Sequence, residues 1–300
     1  MSTLAGTSAA ISSTERAQVR KRKSVAAIMH AVFAAVTWFA VVVLATLLTS
    51  ILVRGYDWVS LQLLTAKASR AAERAGLQTA LLGTLWIITL TALIAIPIGI
   101  GAAIYLEEYA PRNWWTRILQ TNIANLAGVP SVVYGLLGLG LFVYVLGFGR
   151  SILSGALTMA LLILPVIIIS SQEAIRAVPL SLRQGAYALG ATQWQVVRHH
   201  VLPAAMPSIL TGIILSLSRA IGETAPLLVV GAASYLSFNP KGVLSGFTVL
   251  PIQIYGWTAR PGSDFKDLAA GGILVLLMVL LAMNAVAILL RQRFSRNVRW

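Results

Sequence analysis

No cysteine occurs anywhere in this 300-residue sequence, which excludes disulfide frameworks, thiolate metal sites and cysteine nucleophiles. Charge is scarce as well: 11% of the residues are Asp, Glu, Lys or Arg, and only nine are acidic. No Ser–His–Asp set and no intramembrane pair of carboxylates emerges from so few, so catalysis by the chain itself is not expected. The lysines, Lys21, Lys23, Lys67, Lys241 and Lys266, all lie outside a G-x-x-x-x-G-K-[ST] context, and a phosphate-cradling nucleotide loop is not expected either. His199 and His200 are adjacent and point to different faces of a helix, a poor arrangement for a metal.

What the sequence has in abundance is apolar surface. With 58% hydrophobic residues and a mean hydropathy of +0.82, a water-soluble fold of this length would lack the polar residues to cover itself. The net charge of +14 does not point to nucleic acid, because the basic residues gather at the ends of apolar segments instead of along amphipathic faces. The start, Met1 to Thr14, is rich in Ser, Thr and Ala and then turns basic, so residues 1–24 are expected to be a disordered basic tail. The apolar run Val25–Val53 is too long for a signal-peptide core and is expected to be a retained first spanning helix. Further apolar segments at about 79–104, 121–147, 152–171, 207–231 and 268–290 make six spans and an all-α integral membrane fold over 25–290, with a basic tail at 291–300. The segments that lie inside if the N-terminus is cytoplasmic carry the larger share of Arg and Lys, which places both termini in the cytoplasm. No internal repeat is visible, so an inverted-repeat carrier has no direct support.

The fifth apolar segment holds an arginine and a glutamate. Arg219 at the centre of a span costs roughly 2.5–3.5 kcal/mol on insertion scales, and Glu223, four residues on, is expected on the same helix face as its counter-ion. Charges in such a place mark a substrate path or pin helices together, and the residues alone allow both readings. Ser208, Gly212, Ser216, Ala220 and Thr224 recur every four residues, a ridge that lets another helix approach closely. Pro226 cannot donate to the carbonyl of Gly222, so a bend is expected beside Glu223. Ser131 and Tyr134, just after Pro130, face the path or satisfy backbone; Asn284 is expected to bond to a neighbouring helix. Glu107 and Glu108 read as an exposed acidic turn at the end of the second span.

The longest inside segment, about 177–206, reads as two short helices. Ser181 with Gln184 and Thr192 with Gln195 have capping-box spacing, and Gly190 suits the position just past a helix end. The second helix presents Trp194, Val197 and Val201 as an apolar stripe, suited to a groove on a partner or to the lipid interface, before Pro203 ends it.

At this loop the sequence begins to resemble a family. Gln184, Gly185, Ala186, Gly190, Leu202 and Pro203 match the E-A-A-x3-G-x9-I-x-L-P loop of ABC-importer permeases, with Gln184 in place of the Glu and His200 in place of the Ile. The stretches Gly99–Pro111, Val129–Gly135, Leu217–Pro226 and Thr248–Tyr255 agree. Together, from about residue 79 onward, they resemble the PstA family, permease subunits of the phosphate-specific ABC transporter. The resemblance implies a type I ABC importer permease fold (MetI-like) and import of inorganic phosphate by alternating access. It implies a substrate path at Arg219, Glu223, Thr224 and Ser131, and ATPase coupling through the 180–203 loop. The partners it implies are a homologous second permease (PstC-like), an ATPase dimer (PstB-like) that binds ATP and Mg, and an extracytoplasmic phosphate-binding protein (PstS-like). No cofactor is expected in this chain. A permease for sulfate or molybdate, a secondary anion transporter using Glu223 as a proton site, and a membrane scaffold are the competing readings.

Overall fold

A computed structural model describes residues 13–232, 235–236 and 238–295, and among these there are helices and loops but no strand. In chain order the helices are α1 (Ser13–Gly55), α2 (Leu61–Thr65), α3 (Gln78–Ile104), α4 (Trp114–Ala127), α5 (Ser131–Gly138), α6 (Ile152–Arg176), α7 (Leu180–Ala188), α8 (Gln193–Val196), α9 (Leu202–Gly222), α10 (Ala225–Val230), α11 (Leu250–Thr258) and α12 (Ser263–Ser295). Short π-helical turns extend α3 over Tyr105–Tyr109 and α5 over Leu139–Val145, and another joins α8 to α9 over Val197–Val201. Two compact units are formed, Met1–Val53 and Arg54–Trp300. In the first unit α1 begins at Ser13, so residues 13–24 of the expected tail are helical, while residues 1–12 lie outside the described residues. Its apolar side chains are exposed from Val25 to Leu48, the condition of a helix whose solvent is lipid.

In the second unit α6 is the central helix, packed against α3, α4, α5, α9 and α10. Its residues Ile152, Ala156, Ile163 and Ile167 are almost wholly buried. The expected ridge on α9 accounts for one of these contacts: a Cβ on Gly212 would stand 2.3 Å from Ser170 Oγ of α6, and Ser216 and Ala220 are buried in line with it. Ser208 of the same ridge is exposed. Across the bundle, Ser218 of α9 donates to Asn284 Oδ1 of α12, as expected of an isolated amide in a span. A second core forms where α2, α11 and the first turns of α12 meet, around Trp257, Leu250 and Leu268.

Five helices are long and apolar enough to cross a membrane, or up to six if the bent pair Trp114–Ala127 and Ser131–Val145 counts as one. That pair shows the span expected at 121–147 to be sharply bent, because its halves meet at 101°. Pro130 explains the bend: it lacks an amide hydrogen and disfavours helical backbone at Val129. Asn113 starts α4, its side chain accepting from Thr116 N at 3.0 Å. Tyr134 holds the corner, its hydroxyl donating to the Leu126 carbonyl at 2.8 Å.

Candidate functional site

The residues singled out from the sequence fall in two places. The first is the break in the fifth span. α9 stops at Gly222, Glu223 is extended at φ −79° and ψ 121°, and α10 resumes at Ala225 with Pro226 in its first turn. The bend expected from Pro226 is therefore a full interruption, at the place where Pro226 has no amide hydrogen to donate to the Gly222 carbonyl. One consequence corrects the expected pairing. Glu223 leaves the helix that carries Arg219, so the i,i+4 face is lost, and the ion pairs among the described residues are Arg176–Glu107, Arg176–Glu173 and Arg183–Glu108. Arg219 is exposed on the side of α9 that also bears exposed Leu215 and Gly222, while Ile209, Ile213 and Ala220 are buried on the side turned to the bundle.

The bent third span meets this break. A Cβ on Gly135 of α5 would lie 2.8 Å from Pro226 Cα and 2.9 Å from Val229 Cβ, so only glycine permits α5 and α10 to pack this closely. Ser131 begins α5 one turn earlier and is half-buried, as are Glu223 and Thr224. Two interrupted helices thus touch just past their breaks. Irregular backbone among spans is tolerated where it is buried in protein or lines a wet cavity. Tyr134, by contrast, is spent on the α4–α5 corner.

The second place is the loop between α6 and α9. α7 ends in a Schellman motif, with Gly190 N donating to Tyr187 O at 2.9 Å and Ala191 N to Ala186 O at 3.2 Å. Gly190 has φ +81°, the left-handed conformation expected of it. The Thr192–Gln195 capping box forms with both reciprocal bonds. Three expectations are corrected here. Ser181 and Gln184 make no box, because α7 starts two residues earlier than that box requires, at Leu180 after Pro179. Pro203 does not end a helix, since the π-helical turn at 197–201 carries the chain from α8 into α9, and Gln193–Gly222 runs as one 30-residue helix. Val197 and Val201 are buried in the chain's own core, leaving Trp194 exposed. What the loop offers outward is Gln184, Gly185, Gly190 and Pro203, with apolar Leu180, Tyr187 and Leu189; Ala186 is buried and Leu202 half-buried.

Beneath this loop lies a cluster that the sequence did not suggest. Glu108, in the π-helical turn ending α3, accepts from Arg183 Nε at 3.2 Å and Nη2 at 2.9 Å. The same guanidinium donates to the carbonyls of Val178 at 2.6 Å and Ile175 at 2.8 Å, where α6 ends. Gln193 of α8 donates to the Glu108 carbonyl. Glu107 accepts from Gln172 at 3.2 Å and pairs with Arg176. The two glutamates are therefore not an exposed turn. They are paired because the last turns of α3 and α6 finish side by side.

Residues 95–300 match the family described as binding-protein-dependent transport system inner membrane component. The probable ABC transporter permease protein YqgI of Bacillus subtilis (strain 168) is 33% identical over 257 residues, covering 82% of this chain and 87% of that protein. The phosphate transport system permease protein PstA of Pasteurella multocida (strain Pm70) is 35% identical over 257 residues, covering 84% of this chain and 87% of that protein. A solved structure of the MetNI methionine ABC transporter in an inward-facing conformation matches with a TM-score of 0.61 at 15% identity, over 72% of this chain and 94% of that one, which is a likeness of fold. The fold is that of a type I ABC importer permease, MetI-like, as expected.

Proposed function

The chain belongs to the family of binding-protein-dependent transport system inner membrane components, and on that premise we propose that it is the permease subunit of an ATP-driven importer that carries inorganic phosphate across the membrane. Relatives named as phosphate transport permeases, at 35% and 37% identity over most of the chain, support phosphate over sulfate or molybdate. As a transport component it works with an ATPase and a substrate-binding protein. The ATPase dimer is PstB-like and holds the ATP and Mg, the binding protein is PstS-like and extracytoplasmic, and a homologous PstC-like permease supplies the other half of the path. The protein sits in a bacterial inner membrane; with the bent pair as one crossing the spans are even in number, and the distribution of Arg and Lys then favours cytoplasmic termini.

The observation that carries the path is Arg219, a cation on a side of α9 that is exposed among the described residues, one turn before the helix breaks. An arginine in the hydrocarbon region is stable only facing protein or water. The side of α9 that bears it is thus the one turned to the second permease and the path between them. Its planar fork of donors matches phosphate oxygens. Glu223, Thr224 and Ser131 line the same path from the breaks, Glu223 keeping the cation from holding the anion too tightly. Closure of the ATPase dimer moves the 180–203 loop, with Gln184, Gly185 and Gly190 at its surface, and the spans re-orient around Arg219.

Arg219→Gln tests this reading. The variant should assemble with the ATPase yet lose phosphate uptake, and the exchange Arg219→Glu with Glu223→Arg should stay inactive. Near-normal uptake by the exchanged variant, with assembly intact, would show that opposite signs suffice and that the position of the cation is irrelevant.

A further inference from the structure

We infer that Glu108 and Arg183 are positioning residues that lock the 180–203 loop to the end of α3, so that a displacement of the loop is delivered to α3 as well as to the helices the loop connects. The inference rests on the coupling role proposed above for that loop. Covalently, the loop belongs to α6 and α9; α3 is joined to it through hydrogen bonds and the Arg183–Glu108 ion pair.

The geometry makes that joint specific. Arg183 projects from α7 and spends its donors on three acceptors from two other elements: the Glu108 carboxylate of α3 and the Ile175 and Val178 carbonyls at the end of α6. Both side chains of the pair are nearly buried, Arg183 at 14% and Glu108 at 9% exposure, so little water competes for the bond. Gln193 of α8 adds a bond to the Glu108 backbone from beyond the Gly190 turn, so both short helices of the loop hold the same residue. The π-helical turn at Tyr105–Tyr109 matters for the same reason. It places adjacent carboxylates on separate partners, Glu107 on α6 through Gln172 and Arg176, and Glu108 on α7. A lysine at 183 has a point charge without the fork, and cannot reach carboxylate and both carbonyls together.

Once it leaves this joint, α3 runs along α6 from Gly99, beside Ile167, back to Ile87, beside Gly155. A Cβ on Gly99 would lie 2.6 Å from Ile167 Cγ2, so the two helices are in backbone-close contact and move together. A push on the loop is therefore shared by α3 and α6 and reaches the bundle as one rigid displacement.

The absence of native cysteine allows a direct test. Spin labels at Tyr105→Cys at the end of α3 and Ser181→Cys on α7, both exposed positions, report the distance between them in the assembled complex, nucleotide-free and ATP-trapped. The distance should be the same in both states for the otherwise native chain, and should change or broaden on ATP trapping in Glu108→Gln and in Arg183→Lys. In proteoliposomes both variants should hydrolyse ATP while importing about tenfold less substrate per ATP, and Glu173→Gln, which removes only an exposed partner of Arg176, should match the native ratio. A distance that changes between states in the native chain, or variants whose uptake and hydrolysis fall in constant proportion, would overturn the inference. Should Glu108→Gln fail to assemble, Arg183→Lys, which keeps the cation, decides in the same measurements. Failure of the phosphate reading is separate: it would show as native complex that imports no phosphate, and the label distances would still report on the joint.

Discussion

Replacing Gly190 isolates the geometry of the loop from its surface chemistry. The residue has φ +81°, and a Cβ built there meets nothing within 4 Å, so a side chain is not excluded by any neighbour. The whole cost is conformational. An L-residue in the left-handed region is penalised by roughly 1–2 kcal/mol, at the upper end when it is β-branched, whereas Asn visits that region routinely. If Val escapes the strain by leaving the region, the two Schellman bonds from Gly190 and Ala191 go with it, a loss of about 0.5–1.5 kcal/mol each. Either route costs a similar amount. At 1.4 kcal/mol per factor of ten, Gly190→Val should weaken association with the ATPase by about five- to thirty-fold. Gly190→Ala should fall between, and Gly190→Asn should stay near the native value. The assay is equilibrium binding of the purified ATPase to the detergent-solubilised permease pair, with phosphate uptake followed in parallel. Equal affinities for the Val and Asn variants would refute the reasoning, because the backbone conformation would then not be what the ATPase reads.

Further outcomes follow from single contacts. In intact cells an impermeant thiol reagent should label Ser263→Cys and spare Leu189→Cys; the reverse pattern would invert the proposed topology. Tyr134→Phe removes the bond that closes the α4–α5 corner and should lower stability by about 1 kcal/mol, read as a small fall in melting temperature, while a fall of several times that size would mean the corner is held chiefly by this hydroxyl. Asn284→Leu should cost only about 0.6 kcal/mol, the typical worth of a hydrogen bond between spanning helices, and loss of assembly would contradict that estimate.

Local rules read well in this chain. The Gly190 turn, the Thr192–Gln195 box and the interhelical bond of Asn284, though not its partner, each depend on a few neighbouring residues or on the cost of a lone amide in lipid, and each was legible before the fold. The spans were legible as apolar lengths, but less so their shapes: hydropathy sums over 121–147 do not register how sharply Pro130 breaks the backbone, and Pro226 announced a bend in 207–231 but not a full interruption. Arg219 and Glu223 looked like an i,i+4 pair because the spacing presumes the helix that Pro226 interrupts. Val197 and Val201 showed an apolar face without telling what covers it, and the cover is this chain's own core. Glu108 and Arg183 were the hardest to foresee. They lie 75 residues apart and meet because α3 and α6 end at the same level, a fact of tertiary packing with no local signature. The one hint was the charge itself, since two adjacent carboxylates at a span end need cations, and Arg176 and Arg183 lie at the end of α6 and just beyond it.

The most direct measurement is phosphate accumulation in proteoliposomes that contain this chain with its second permease and ATPase, with binding protein outside and ATP inside. Phosphate should accumulate only when all components and ATP are present, and sulfate should neither accumulate nor compete. Accumulation by this chain alone under an ion gradient, or ATP-driven accumulation of sulfate in place of phosphate, would contradict the assignment.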